Sequence, residues 1–192
     1  MKKLLYIFSL ALLLAGCNSV KKNQRLLAQG NYEQAIELAV KKLQKNTSSK
    51  KKDGHITVLE KAFQKNVAKN TRRISFLEKQ GNASGAKEIY YTYQNLAYIQ
   101  DKIRPLLPIY SNTLKRDAEF TLKDYSSKIL DAKKAYIAYL YVEAGLYMQY
   151  QTRKDYRTAY NIYCELEDVQ PNYKDVSLKK ENARFYGTDF VL

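Results

Sequence analysis

Hydrophobic residues recur along most of this chain every three or four positions, which is the spacing of one face of an α-helix. A first helix ends at Gly30-Asn31, where glycine accepts the left-handed conformation of a helix end. The pattern then predicts helices over residues 32–45, 56–77, 86–103, 125–151, 156–166 and 174–185. Polar and basic residues at 47–54 predict a loop that also contains His55 at its end.

Turn-forming residues separate these helices. Gly81-Asn82 and Gly85 form a second turn, and Pro105 and Pro108 end the helix over 86–103 because proline cannot continue one. Residues 118–122 alternate between apolar and polar as in a short strand, although a helix fits them nearly as well. We therefore expect an all-α fold of antiparallel helix pairs, with at most one short strand near the C-terminus.

The N-terminus has the layout of a secretory signal peptide. Lys2 and Lys3 are followed by an apolar run over residues 4–14, and the small residues Ala15 and Gly16 come next. This run is too short to cross a bilayer core of about 30 Å, which needs about 20 apolar residues. We expect the segment to be removed after export.

Residues 14–17, Leu-Ala-Gly-Cys, resemble the bacterial lipobox. The resemblance implies that Cys17 becomes the first mature residue and carries a diacylglyceryl thioether and an N-acyl chain. Several acyl chains hold a protein firmly where one chain is marginal. Asn18 follows the cysteine in place of the aspartate that retains enterobacterial lipoproteins in the inner membrane. The resemblance therefore implies the periplasmic face of the outer membrane.

The later residues resemble a tetratricopeptide repeat, a helix–turn–helix unit of 34 residues. The best match covers Leu146, Tyr150, Asp155-Tyr156, Ala159, Tyr163 and Pro171-Asn172. By this resemblance Ala159 allows two helices to approach, Tyr163 fills the gap between them, and Pro171 starts the next turn. Ala35 and Ala86 occupy the small-residue position in two weaker matches. The implied fold is a short, irregular solenoid of divergent repeats, like that of uncharacterised repeat lipoproteins of Gram-negative bacteria.

These observations divide the chain into four segments. They are a signal peptide over residues 1–16, a lipidated cysteine with a short polar tether over 17–25, a helical repeat domain over 26–186, and an extended tail over 187–192.

The sequence offers little for catalysis. His55 is the only histidine and is expected in a solvated loop, where it would be a poor metal ligand or general base. With Cys17 lipidated, Cys164 has no disulfide partner in the chain and is expected to be a small buried residue. No phosphate-binding loop, nucleophile elbow or metal-binding helix motif is present. We expect a protein that is not an enzyme and needs no metal or cofactor.

The 18 tyrosines and the net charge of +14 each have two interpretations. The tyrosines are expected to pack between helices, or alternatively to line a groove for a peptide or helix, with Tyr91, Tyr98, Tyr141 and Tyr150 as candidates. The basic residues of the N-terminal half form a solvated surface, or they contact anionic lipid headgroups. An exported lipoprotein is not expected to bind nucleic acid.

The sequence thus predicts a membrane-anchored scaffold or assembly factor that binds an envelope protein partner through a helical surface. The alternative is that the chain is the targeting and interaction half of a larger envelope protein, whose active domain lies beyond Leu192.

Overall fold

The computed structural model describes residues 19–45 and 49–189, and the protein is 78% helical. The described part of helix α1 covers residues 19–28. The later α-helices are α2 (Tyr32–Leu43), α3 (Ser49–Gln80), α4 (Ala86–Ile103), α5 (Ser126–Tyr150), α6 (Arg153–Val169) and α7 (Val176–Gly187). Two-residue strands β1 (Tyr110–Ser111) and β2 (Arg116–Asp117) pair antiparallel. The predicted all-α fold is confirmed.

The chain forms two compact units. The first contains the residues up to Arg73 together with Asn95–Asp124, and the second contains Ile74–Gln94 together with the residues from Tyr125 onward. The boundary therefore falls within α3 and within α4. Each unit has its own hydrophobic core.

In the first unit, α2, α3 and the second half of α4 enclose a core of aliphatic side chains. Ile36, Leu59 and Ile103 are fully buried, and Phe63 meets Phe120 edge to face with ring centroids 5.4 Å apart. The apolar faces of these helices provide this burial at the periodic positions expected from the sequence.

Two buried carboxylates of α3 hold the β1–β2 hairpin against this core. Asp53 accepts hydrogen bonds from Ser111 Oγ at 2.8 Å and from Thr113 N at 3.0 Å. Glu60 Oε1 accepts from Arg116 Nη2 at 2.9 Å. Burial opposes the charge on Asp53, but the hydrogen bonds outweigh it, so the pKa of Asp53 lies below its ordinary value.

Residues 118–122 are neither the strand nor the helix that the sequence favours. Their burial alternates as predicted, with Ala118 and Phe120 turned toward the first core. Ala118 N donates to Ile109 O at 2.9 Å beside the hairpin, but residues 118–122 form no strand. A side chain of α4 holds the end of the segment instead: Gln100 accepts from Lys123 N at 2.5 Å and donates to Lys123 O at 3.1 Å. The alternation therefore reports burial on one face and not sheet pairing.

In the second unit, α5, α6 and α7 pack side by side in chain order, as adjacent pairs of an irregular solenoid. Tyr136, Tyr163 and Leu166 are fully buried between them. The α5–α6 turn is two residues long. Gln151 adopts the left-handed conformation, with φ of 57°, and Thr152 caps α6 by accepting from Asp155 N at 3.2 Å.

The structure differs from the sequence expectations at two segments that were expected to be non-helical but belong to helices. Residues 19–25, expected in a polar tether, belong to α1, and residues 49–54, expected in a loop, open α3. Tertiary contacts provide the reason, because Asn23 and Asp53 are buried and hydrogen-bonded. Gly187, placed in the extended tail, is the last residue of α7, and residues 190–192 lie outside the described part.

Gly54 lets α1 approach α3 closely. A Cβ atom at this position would lie 2.8 Å from Val20 Cγ1, closer than side chains pack. We expect Gly54→Ala to lower the free energy of unfolding by about 1 kcal/mol, because overpacking costs about 1–3 kcal/mol and exceeds the gain in helix propensity. Urea unfolding followed by circular dichroism measures this change.

Two controls accompany this substitution. A Cβ atom at Gly145 in α5 would meet nothing within 4 Å, so Gly145→Ala should stabilise the protein by about 0.5–1 kcal/mol. Val20→Ala should remove most of the cost of Gly54→Ala in the double variant. Equal effects of Gly54→Ala with and without Val20 would contradict the close approach.

Candidate functional site

The helix nearest the N-terminus is joined to α3 through a buried histidine. His55 is fully buried; its Nδ1 accepts a hydrogen bond from Asn23 Nδ2 at 3.1 Å, and its Nε2 faces Ser19 Oγ at 3.4 Å. The expectation of a solvated loop histidine is therefore wrong, because α3 extends further toward the N-terminus than the polar sequence suggests. No sequence signal distinguishes this histidine; only the contact with α1 identifies its structural role.

The residues assigned to repeat packing are buried where they lie on helices. Ala35, Ala159 and Tyr163 have no exposed surface, and Ala86 is nearly buried. Pro171 lies exposed in the turn between α6 and α7. Their burial agrees with a packing role, but it is equally expected for any small residue between two helices.

The four tyrosines proposed for a groove are divided between the two units. Tyr98 lies in the first unit with Lys102 Nζ over its ring at 4.3 Å, whereas Tyr91, Tyr141 and Tyr150 lie in the second. Tyr141 and Tyr150 are nine residues apart on α5, which places them half a turn apart on opposite sides of the helix. These two tyrosines therefore cannot line the same groove.

The three candidate tyrosines in the second unit contact different residues. Tyr91 packs against Tyr136 with ring centroids 6.1 Å apart, and Tyr150 packs against Tyr147 at 5.9 Å. Tyr141 also forms hydrogen bonds through its hydroxyl. Its hydroxyl donates to Asp175 Oδ1 at 2.8 Å and accepts from Lys179 Nζ at 2.7 Å, so it ties α5 to the start of α7. Tyr91 and Tyr150 remain about half exposed or more.

A partly exposed polar network links α4, α5 and α6. Tyr136 and Lys87 both donate to Glu165 of α6. Burial opposes the charge on Glu165, but these two hydrogen bonds outweigh it and lower its pKa. Burial, followed by the bond to Glu165, raises the pKa of Tyr136. Glu167, on the same helix as Glu165, pairs instead with Lys180 of α7.

The sequence analysis missed an exposed apolar face on α5, which we call the α5 stripe. It consists of Ala138, Val142, Gly145, Leu146 and Tyr150. Val142 is 61% exposed, Leu146 48% and Tyr150 63%. Val142 and Leu146 lie on the side of the helix away from its buried residues, such as Leu140 and Ala144, whereas Tyr150 extends the stripe at the exposed C-terminal end of the helix. Apolar residues on two faces of one helix were the available signal, because an ordinary surface helix has one such face.

The described residues also bear on chemistry and membrane contact. They contain no group of three or more histidine, cysteine and acidic side chains arranged to hold a metal ion. Cys164 is only partly buried, in contrast to the full burial expected. None of the described helices is both long and apolar enough to span a bilayer.

A comparison with known families identifies the N-terminus. A family model described as a prokaryotic membrane lipoprotein lipid attachment site matches residues 1–18. No curated protein and no solved structure matches the chain. The chain is therefore a bacterial lipoprotein, anchored by lipid in the cell envelope. Its predicted attachment residue, Cys17, lies outside the described residues.

Protonation of His55 should loosen the contact between α1 and α3. Burial and then the charge of Lys42 lower the pKa of His55. The unfolded chain therefore binds the proton more readily, so the stabilisation is present above the ordinary pKa of about 6.5 and is lost as the pH falls through the folded value. We expect the free energy of unfolding to decrease between pH 7.5 and 5.5.

His55→Gln is the matched control for this pH effect, because the chain then contains no histidine. Urea unfolding of both proteins at the two pH values provides the measurement. An equal decrease in the variant would show that His55 is not responsible.

Lipid attachment has an internal control in the second cysteine. Metabolic labelling with an alkyne fatty acid should label the wild type and Cys164→Ser, because Cys164 lies on α6. Cys17→Ser should incorporate none, since serine provides no thiol for the thioether. Label retained in Cys17→Ser would contradict attachment at this residue.

Proposed function

We propose that this lipoprotein is a noncatalytic scaffold or assembly factor that holds an envelope protein partner at the membrane. The α5 stripe carries the proposal. It is a continuous apolar face on the longest helix of the second unit, and it is exposed although the other side of the same helix is packed. Exposed apolar surface of this kind marks contact sites for other proteins.

The composition of the α5 stripe suits a helix or another extended apolar surface. Ala138 and Gly145 have small or no side chains, so a partner backbone can approach closely between Val142 and Leu146. Burying a valine or leucine side chain completely is worth about 1.5–3 kcal/mol. Tyr150 lies at the end of the stripe and adds a ring with a polar tip, a residue type that is common at binding hot spots.

The distance to the anchor supports a role close to the membrane. Residue 19 already belongs to α1 and lies two positions after Cys17, and two residues span at most about 7 Å. The first unit therefore has little free linker. Exposed lysines of α2 and α3, such as Lys41, Lys61 and Lys65, lie in this unit and are suited to contact anionic headgroups.

The location and the repeat assignment belong to the same proposal. Asn18 after the cysteine favours the periplasmic face of the outer membrane over the inner membrane. The buried Ala159 and Tyr163, followed by the turn at Pro171, support a divergent tetratricopeptide-like unit formed by α5, α6 and α7. In such arrays neighbouring helix pairs present an extended surface to partners.

Photo-crosslinking in the source bacterium tests this function. A photoreactive amino acid at Leu146 should give a protein adduct of defined mass, because this position lies at the centre of the α5 stripe. The matched control is the same amino acid at Lys154, an exposed position on α6. We expect no adduct there.

A second substitution separates binding from chance proximity. Val142→Asp should reduce the adduct formed from position 146 by about tenfold, since a charge in an apolar contact costs more than the 1.4 kcal/mol that corresponds to that factor. Equal adducts at positions 146 and 154, or an adduct with a second copy of the same chain, would contradict a distinct partner on the α5 stripe.

A further inference from the structure

A pocket of about 230 Å³ lies at the N-terminus of α2, in the first unit. It is lined by residues 30–34, which form the α1–α2 turn and the first turn of α2, and by Asn66 and Lys69 of α3. We call it the α2 pocket. It is unrelated to the α5 stripe, so it raises a separate question of what it binds.

The backbone supplies hydrogen-bond donors to the α2 pocket. The first N–H groups of a helix, here those of residues 32–34, have no acceptor within the helix. Asn31 occupies the capping position, yet its side chain makes no capping hydrogen bond. Gly30, with φ of 78°, turns the chain into this position. The end of a 12-residue helix thus presents its N–H groups and its positive dipole end to the pocket.

A buried side chain supplies a further donor. Asn66 is 2% exposed and lines the α2 pocket. Its Oδ1 accepts from Asn70 Nδ2 at 3.2 Å, but its Nδ2 has no hydrogen-bond partner among the described residues. A buried donor without an acceptor is costly, so this amide favours a ligand that accepts hydrogen bonds.

Two lysine ammonium groups lie near Tyr32, at the start of α2. The Nζ atoms of Lys65 and Lys69 are each 6.0 Å from the centroid of the Tyr32 ring, and Lys69 lines the pocket. The opposing charge is the carboxylate of Glu33, which accepts from Asn95 Nδ2 at 2.6 Å. Two ammonium groups and the helix end outweigh this one carboxylate, so the α2 pocket attracts anions.

We propose that the α2 pocket binds a phosphate group. Its donors come from the end of α2, from a buried amide and from a lysine on a second helix, which suits an anion with oxygens in several directions better than a planar carboxylate with two. A phosphate in a soluble ester and the phosphate of a lipid headgroup share this chemistry.

Titration of the mature, lipidated protein tests the proposal. The protein is held in dodecyl maltoside, which contains no phosphate, and inorganic phosphate is added while the backbone amides are followed by NMR. The amide signals of Glu33 and Gln34 should shift and saturate, because both residues line the pocket at the N-terminus of α2. Absence of a saturating shift at these two amides would overturn the proposal.

Three substitutions locate the site. Lys69→Gln should weaken phosphate binding by about tenfold, the effect of losing a hydrogen bond between charged groups. Asn66→Leu should weaken it too, and Glu33→Gln should strengthen it because the opposing charge is removed. Lys61→Gln is the matched control: it removes the same charge from α3 at an exposed position outside the pocket, and should change the affinity less than about twofold.

Lys69→Gln and Glu33→Gln change exposed side chains, so they remain informative if Asn66→Leu fails to fold. Equal weakening by Lys69→Gln and Lys61→Gln would overturn the α2 pocket as the site and indicate general attraction to a basic surface.

Repeating the titration in phosphatidylglycerol nanodiscs distinguishes the two sources of phosphate. If a headgroup occupies the α2 pocket, added phosphate should no longer shift Glu33 and Gln34, and both signals should already lie at their bound positions. If the ligand is a soluble phosphate, the titration should be the same in nanodiscs and in detergent. Signals that stay at their unbound positions in nanodiscs and do not respond to phosphate would overturn the proposal.

Discussion

The hydrogen bond between Asn23 and His55 joins α1, the helix nearest the lipid attachment site, to α3. The match to the lipid attachment site ends at residue 18 and residue 19 already belongs to α1, so few residues separate the lipid from the folded part. The Asn23–His55 bond is buried, and beside it Val20 packs where Gly54 has no side chain. A buried hydrogen bond and close packing on one helix make α1 a rigid part of the first unit, in place of a flexible linker. The lipid anchor is therefore followed directly by a helix that is packed into the first unit.

Helix α5 has apolar residues on its packed side and also on its exposed side. Its contact with α6 needs one apolar side, which Tyr136, Leu140 and Ala144 supply. Stability of the unit gives no reason for Val142 and Leu146 on the other side, because side chains left in water contribute no burial. Polar residues there would keep the fold and improve solubility. Val142 and Leu146 are therefore the residues of α5 that a contact with another molecule would bury.

Periodicity and helix-breaking residues predicted most of the fold. The helix expected over residues 86–103 has those bounds in the structure, and the one expected over 125–151 differs by a single residue at each end. These helices have a continuous apolar pattern and clear breakers. The start of α3 has neither: Asp53 and Gly54 are typical of turns, and only bonds from Ser111 and Thr113, about 60 positions away, make a helix with a buried aspartate favourable. A local pattern carries no information about such partners.

The candidate sites show the same division between local and distant information. Cys17 is predicted from four consecutive residues, and the family model matches the segment that contains them, residues 1–18. The predicted tyrosine groove required residues of different helices to face the same space. Spacing along the sequence does not predict which residues of different helices face each other. Tyr141 and Tyr150 belong to one helix, so the helical repeat alone would have separated them. Asn66 could not have been found, because an unpaired buried amide is visible only when its surroundings are known.

Helix α3 carries a row of lysines that are not paired with carboxylates of the described residues. Lys61, Lys65 and Lys69 follow one another at four-residue spacing, and among the described residues none forms an ion pair with a carboxylate. Each such pair of like charges destabilises a helix by about 0.2–0.5 kcal/mol. In the second unit the cations Lys87 and Lys180 are instead paired with acidic residues of α6. A row of cations that opposes the stability of its own helix becomes favourable when anions are near, and phosphate is the anion that every phospholipid surface supplies.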